Sequence, residues 1–158
     1  FMGGEFGQQR VWSEGRELDW GLLASPENVA SQRLSADLNR LYRDLPALHT
    51  QDFSPLGFEW IDCNDSEHSV LSWLRWGSDG SFVVVVFNFT PVPQTDYRLG
   101  VPAAGCYVEL LNTDSVFYGG SNFGNGGALP AHEGEWMGRP ANLEVTIPPL
   151  GAVVLRLG

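Results

Sequence analysis

Hydrophobic and polar positions divide the chain into two parts with different periods. Between residues 25 and 48, apolar residues recur every three or four positions, which is the period of an amphipathic helix. Beyond residue 52, short apolar runs alternate with Gly, Pro, Asn and Asp, as in strands joined by turns. This change of pattern predicts a boundary near residue 50.

The helix is expected to begin at Pro26, because Ser25 can cap its first turn and Glu27 lies at the positive end of the dipole. Pro46 should end it, with one further turn through Leu48. The apolar stripe consists of Leu34, Leu38, Leu41, Tyr42 and Leu45. The charged residues expected to face water are Arg33, Asp37, Arg40 and Asp44.

The strongest apolar run, Phe82 to Phe89, predicts a central strand covered on both faces. Seven strands are predicted in all, over 58–63, 69–76, 81–90, 96–100, 106–112, 143–147 and 152–157. The turn Gly77–Gly80 predicts a hairpin between the second and third strands. A mainly β fold, an antiparallel β-sandwich, follows from this pattern.

The gap from Thr113 to Asn142 is predicted to be a long loop. It contains the glycine-rich segment Tyr118–Gly127. A loop of that length inside a compact domain is either functional or packed against a neighbour. The segment has no lysine and no helix signal behind it, so it predicts a plain loop and not a phosphate cradle.

Composition excludes several classes of partner. The 158 residues carry nine arginines, no lysine and a formal charge of −10, which opposes binding to nucleic acid. The longest apolar run falls far short of the roughly 18 residues of a membrane span. Cys63 and Cys106 are predicted to be free thiols in a reducing cytosol, which indicates a cytoplasmic protein.

No pattern of metal ligands or cofactor contacts is recognisable. His49, His68 and His132 are far apart in the sequence, without the spacing of a zinc site. Asp62 and Asp65 resemble the start of a calcium loop that lacks its glycine and closing glutamate. The sequence therefore predicts neither a metal nor a cofactor.

Aromatic residues make up 12% of the chain and include six tryptophans, which could provide a platform for sugars. Trp73 and Trp76 should lie on opposite faces of their strand, so at most one of them can meet a ligand. Core packing is the expectation for aromatics within strands. Trp136, in the predicted long loop, is the candidate for contact with a glucan.

An ordered set of short stretches resembles the carboxyl-terminal part of bacterial 1,4-α-glucan (glycogen) branching enzymes, which belong to the α-amylase superfamily. The stretches are Phe1–Gln8, Leu18–Trp20, Phe58–Trp60, Asn88–Pro93, Tyr97–Arg98, Leu111–Asp114, Tyr118–Asn122, Gly124–Asn125 and Pro148–Leu150. Val11 departs from the pattern, since such enzymes more often carry an acid before the tryptophan.

The resemblance implies that residues 1–50 are the last strand, loop and helix of a catalytic (β/α)8 barrel. Residues 51–158 would be the all-β domain that follows it. Such an enzyme cleaves an α-1,4 link in glycogen or amylose and transfers the chain to a 6-hydroxyl, which requires two carboxyl groups. In this family those groups come from earlier barrel strands, so the resemblance implies no catalytic residue in this chain and no activity of the chain alone.

The resemblance also implies that Glu5, Phe6, Gln8 and Trp12 lie near the substrate in the full-length enzyme, because they follow a barrel strand. Two other functions remain open. The chain could be an autonomous glucan-binding module, or a structural domain that buttresses the barrel. Without the barrel, the helix is expected either to fold against the β-domain or to self-associate.

Overall fold

A computed structural model describes residues 2–158. Within this range the chain forms two helices, α1 (Pro26–Asp44) and α2 (Pro46–His49). The strands are β1 (Phe58–Asp65), β2 (Val70–Trp76), β3 (Phe82–Asn88), β4 (Gln94–Val101), β5 (Gly105–Asn112), β6 (Ala128–Trp136), β7 (Arg139–Ile147) and β8 (Ala152–Leu157). Short 3-10 turns lie at Gly4–Phe6, Trp20–Ala24, Pro55–Gly57 and Val116–Tyr118.

The predicted helix is confirmed at both ends. Pro26 occupies its first turn, and Pro46 separates α1 from the single further turn of α2. Ser25 takes the N-cap position, but its hydroxyl donates to the Glu27 carboxylate and makes no capping bond to the backbone. The carboxylate of Glu27, near the positive end of the helix dipole, stabilises this terminus.

All eight strands pair antiparallel in one sheet, with the order β1-β2-β3-β8-β5-β6-β7-β4. The sheet curls over itself, because side chains from all eight strands meet in one buried cluster. The mainly β, antiparallel architecture is thus as predicted, and the two halves of the sheet pack like the layers of a sandwich.

Contacts at two places join β1, at one edge of the curled sheet, to the last two strands in its order, β7 and β4. The Tyr97 hydroxyl of β4 donates to the Asp65 carboxylate at the end of β1, at 2.8 Å. At the other end of β1, Arg139 of β7 donates to the Trp60 carbonyl oxygen at 2.9 Å and forms an ion pair with Glu59. Side chains therefore close the sheet where backbone pairing stops.

Strand β3 is covered on both faces, as the sequence predicts. Val84 and Val86 point into the main core between the two halves of the sheet. Val83 and Val85 point to the outer face, where they join a second buried cluster with Leu45 of the α1–α2 junction. The helix therefore folds against the β-domain.

The predicted long loop over 113–142 is wrong in its second part, which contains β6 and the start of β7. Trp136 accordingly ends a strand and does not lie in a loop. Only Ala131 of β6 is buried, so the strand lacks the alternation of apolar and polar residues that reveals a strand in a sequence. Backbone pairing with β5 and β7 defines it instead.

The strand expected at the start of the chain falls partly on Phe1, outside the described residues, and Met2–Gly3 form a turn. Cys63 and Cys106 are free thiols, as predicted, and the structure shows that both are exposed. No helix within residues 2–158 is long and apolar enough to cross a membrane.

Candidate functional site

Phe6 anchors the first turn of the chain to α1. Its ring is fully buried and stacks on Trp20, with 5.3 Å between ring centroids. Its carbonyl oxygen accepts a hydrogen bond of 2.7 Å from the Asn28 side chain of α1. Packing and hydrogen bonding together fix the segment before the helix.

Gln8 holds the following loop closed from within. Its side-chain oxygen accepts from the Asp19 backbone N–H at 2.8 Å, and its side-chain nitrogen donates to the Arg10 carbonyl oxygen at 3.0 Å. Arg10 and Asp19 also form an ion pair. The amide of Gln8 thus bridges the two ends of a ten-residue loop that begins at Arg10.

Glu5 and Trp12 lie at different places on this segment. The Glu5 carboxylate is exposed and accepts from the Gly3 backbone N–H at 2.8 Å. Trp12 is half-buried and, with Gln8, lines a depression of about 10 Å³, the size of a single water. The structure therefore brings Gln8 and Trp12 together and leaves Glu5 on the exposed side of the turn.

The glycine-rich segment is closed by two polar residues at the end of β5. Asp114 accepts hydrogen bonds of 2.9 Å from the backbone N–H groups of Ser121 and Phe123. Asn112, almost fully buried, donates to the Phe123 carbonyl oxygen at 2.6 Å. The stretches Leu111–Asp114 and Tyr118–Asn122, which the sequence offers as family motifs, thus form one structural unit.

Asn125 attaches the end of this segment to two strands. Its side chain mimics a neighbouring strand, accepting from the Thr146 backbone N–H at 2.7 Å and donating to the Thr146 carbonyl oxygen at 3.0 Å. The same side-chain nitrogen donates to the Glu109 carboxylate of β5 at 2.6 Å. The loop is therefore fixed at both ends by buried or half-buried side chains.

The start of the segment contacts α1. The Tyr118 hydroxyl donates to the Asp37 carboxylate at 2.9 Å, and Arg33 donates to the Phe117 carbonyl oxygen at 3.0 Å. Burial, together with the Asp37 carboxylate, raises the pKa of Tyr118 to about 12. Arg33 is exposed, as predicted, whereas Asp37 is half-buried. Both also pair with groups more than 80 residues away, which the sequence did not indicate.

Trp136 is 39% exposed and makes two contacts with Arg98 of β4. Its indole N–H donates to the Arg98 carbonyl oxygen at 2.9 Å. The Arg98 guanidinium lies over the indole ring, 4.4 Å from its centroid. One face of the ring is therefore occupied, and the partner could not be found from sequence because Arg98 is 38 positions away.

A polar groove lies on the outer face of the same half of the sheet. Its volume is about 520 Å³. Asn142 lines it and accepts from Arg98 Nε at 2.9 Å, which connects the groove to Trp136 through one side chain. The other polar side chains that line it are Asp96, Asn125, His132, Glu144 and Thr146.

These strands and the closed loop after β5 belong to a known domain type. A family model described as "Alpha amylase, C-terminal all-beta domain" matches residues 60–158, which is more than half of the chain. The chain therefore belongs to this family, as the motifs suggest.

The curated relatives are 1,4-alpha-glucan branching enzymes. The chain is 88% identical to GlgB of Dechloromonas aromatica over 156 residues, covering 99% of this chain and 25% of that enzyme. It is 57% identical to GlgB of Nitrosococcus oceani and 56% identical to GlgB of Thiobacillus denitrificans, each match covering 99% of this chain and 21% of the relative. The chain thus spans a quarter or less of the length of these relatives.

Proposed function

We propose that the chain is the carboxyl-terminal portion of a 1,4-α-glucan branching enzyme, which cleaves α-1,4 links and transfers the glucan to a 6-hydroxyl to form α-1,6 branches. The observation that carries this proposal is the extent of the similarity. It covers 99% of the chain, including most of the first 59 residues, which the family model leaves unmatched. The helical segment and the β-domain are therefore similar to one continuous part of the branching enzymes.

In this proposal, residues 1–50 are the last strand, loop and helix of a catalytic (β/α)8 barrel, and residues 51–158 are the accessory β-domain. The upstream barrel and amino-terminal domains are the partners of the chain, α-glucan is its substrate through them, and the location is cytoplasmic. The attachment of α1 to the β-domain through Asp37 and Arg33 supports a rigid connection between the two parts.

The catalytic carboxylates lie upstream in this proposal, and the chain alone is inactive. Glu5, Gln8 and Trp12 lie near the glucan at the rim of the barrel. The exposed Glu5 carboxylate and the shared depression of Gln8 and Trp12 support this role. Phe6 has its ring buried against Trp20, so it supports this rim from beneath.

An activity assay with and without the upstream residues tests the proposal. The 158-residue chain and the full-length polypeptide are each incubated with amylose, and new α-1,6 ends are counted together with the loss of iodine staining. We expect branching by the full-length polypeptide alone. Turnover by the chain alone would place catalytic groups within it and overturn the assignment.

An autonomous glucan-binding module is the second candidate, and Trp136 is the observation that favours it. The indole is partly exposed and lies one side chain away from the polar groove. Arg98 covers one face of the ring, so a sugar could stack only on the other face. This function is compatible with a place in a larger enzyme.

A third role, as a structural domain that buttresses the barrel, is compatible with both a place in a branching enzyme and glucan binding. Its support is the set of hydrogen bonds between the glycine-rich segment and α1. In a branching enzyme these bonds would hold the last barrel helix against the β-domain.

A further inference from the structure

Five aromatic rings form a continuous row on the outer face of β1, β2 and β3, with the last ring on Phe89, directly after β3. Phe58 and Trp60 meet edge to face at 4.8 Å, and Trp60 meets Trp73 at 5.9 Å. Trp73 stacks on Phe87 at 5.3 Å, and Phe87 stacks on Phe89 at 5.8 Å. We call Phe58, Trp60, Trp73, Phe87 and Phe89 the aromatic strip.

The strip is open to solvent along much of its length. Phe58, Trp60 and Phe89 are 41%, 46% and 56% exposed. A contiguous apolar surface of this kind on a folded protein marks a site of contact with another surface, because its exposure to water is unfavourable. Single exposed apolar residues would need no such explanation.

The strip continues an interface that the chain already contains. Trp73 and Phe87 are partly buried and pack against the second buried cluster, in which Leu45 and Ala47 of the helical segment meet Val83, Val85 and Val154. The same face of the sheet is thus covered by the helical segment on one side and bare on the other. Whatever covers the strip would extend this interface without a break.

The chemistry of this face favours a protein surface over a sugar. All five members are aromatic, and their neighbour on this face of β2, Leu71, is aliphatic. Arg75, the next charged residue on the same face, already donates to the Gly57 and Leu48 carbonyl oxygens. A sugar site needs polar groups that fix its hydroxyls, whereas the core of a protein interface is apolar and aromatic.

From these observations we propose that the aromatic strip is the docking surface for the polypeptide that precedes this chain in the full-length protein. The relatives carry at least three times as many further residues as the part matched here. Residues 25–49 already lie on this face of the sheet, which brings the preceding segment to the same side. This inference rests on the proposed function only in requiring an upstream domain.

The test is hydroxyl-radical footprinting of the full-length polypeptide, read by mass spectrometry. Phe123, on the glycine-rich segment, is the matched reference because its exposure is 42%. We expect the oxidation rates of Phe58, Trp60 and Phe89, each normalised to the rate of Phe123, to be at least fivefold lower than the exposed fractions of these side chains predict. Oxidation of the strip at the rate its exposure predicts would overturn the proposal.

Two further experimental conditions distinguish the upstream polypeptide from the other occupants of the strip, a glucan and a second copy of the protein. If a glucan is the occupant, the strip is oxidised readily in the free protein and becomes protected when maltoheptaose is added. If a second copy is the occupant, protection disappears on hundredfold dilution. Either result overturns the proposal, and protection that withstands dilution without maltoheptaose supports it.

A variant pair provides an independent measurement. Trp60→Ala in the full-length polypeptide should increase the rate of proteolysis between the upstream domain and the β-domain severalfold, whereas Phe123→Ala should leave it unchanged. Equal rates for both variants and the wild type would count against docking. Neither readout uses branching activity, so a protected strip in a protein without that activity would refute the proposed function and leave this inference intact.

Discussion

Ser72 is a buried hydroxyl without a partner. It lies on the inner face of β2, fully buried, and its Oγ has no hydrogen-bond partner within residues 2–158. An unsatisfied buried polar group costs about 1–3 kcal/mol. We expect Ser72→Ala to raise the free energy of unfolding by up to about 1 kcal/mol, measured by urea denaturation.

Ser81→Ala is the control for this prediction. The Ser81 hydroxyl donates to Asp79 at 2.6 Å in the β2–β3 turn, so its removal should lower stability slightly. A clear loss of stability in Ser72→Ala would mean that its hydroxyl is satisfied in solution.

Asp65 makes the stability of the curled sheet depend on pH. Partial burial opposes its charge, but hydrogen bonds from the His68 backbone N–H, the Tyr97 hydroxyl and the His68 ring outweigh this effect and lower the pKa of the Asp65 carboxyl. Because the pKa is lower in the folded state, the ionised carboxyl stabilises the fold at pH values above its unfolded-state pKa of about 3.9. This stabilisation is lost as the pH falls through the folded-state pKa.

We therefore expect Asp65→Asn to lower the Tm at pH 7 and to reduce the dependence of Tm on pH between about 5 and 3. Thermal denaturation across this range measures both effects. Glu67→Gln is the control, because it removes a carboxylate from the same turn without touching the hydrogen bonds of Asp65. Parallel Tm profiles for wild type and Asp65→Asn would refute this account.

At the scale of elements, the joint between α1 and the glycine-rich segment determines how firmly the helix is held. None of the α1 residues is fully buried, although Leu34 and Leu41 pack against the second buried cluster, so hydrogen bonds contribute to holding the helix in place. Tyr118→Phe removes the hydrogen bond to Asp37 and should lower the free energy of unfolding by about 0.5–1.5 kcal/mol. Hydrogen exchange of the α1 amides should increase accordingly.

Tyr107→Phe separates a local effect from a global one. Tyr107 is a fully buried residue of the main core, and its hydroxyl donates to the Ala103 carbonyl oxygen at 3.0 Å, away from the helix. Its loss should not accelerate exchange in α1 selectively. If the two variants accelerate α1 exchange equally, the Tyr118 bond does not hold the helix.

The limits of sequence reasoning are clearest for these elements. Helix α1 and strand β3 were predictable, because their apolar residues follow the helical period or form an uninterrupted run. Strand β6 was not, because only Ala131 is buried and Pro130 and Gly134 are typical of turns. Pairing with the neighbouring strands fixes the position of β6, and its local sequence contains no pattern that predicts this pairing.

The candidate sites, too, were predictable from the sequence only in part. The sequence identified Gln8 and Trp136 by residue type and family motif, but their partners Asp19 and Arg98 depend on the folded chain. The aromatic strip was hidden for the same reason. Its members come from three strands and become one surface only when those strands pair in register.

At the scale of the whole molecule, glucan binding by the β-domain can be separated from catalysis. If Trp136 contacts glucan, Trp136→Ala should weaken binding of the chain to glycogen at least threefold, because stacking on one ring face is lost. Affinity electrophoresis measures the change. Phe53→Ala is the control, because Phe53 is fully exposed and lies outside both the polar groove and the segment proposed to lie near the glucan. Absence of retardation of the wild-type chain at any glycogen concentration would remove this function.

The position of β8 has a consequence for how this protein is made in the cell. Residues 152–157 pair with both β3 and β5, so they lie between the two halves of the sheet. Until the ribosome has released these residues, β3 lacks one neighbour and no backbone pairing joins the first half of the sheet to the second. We infer that the β-domain matures only after translation has passed residue 157, so a nascent chain stalled before Ala152 exposes two unpaired strand edges to its surroundings.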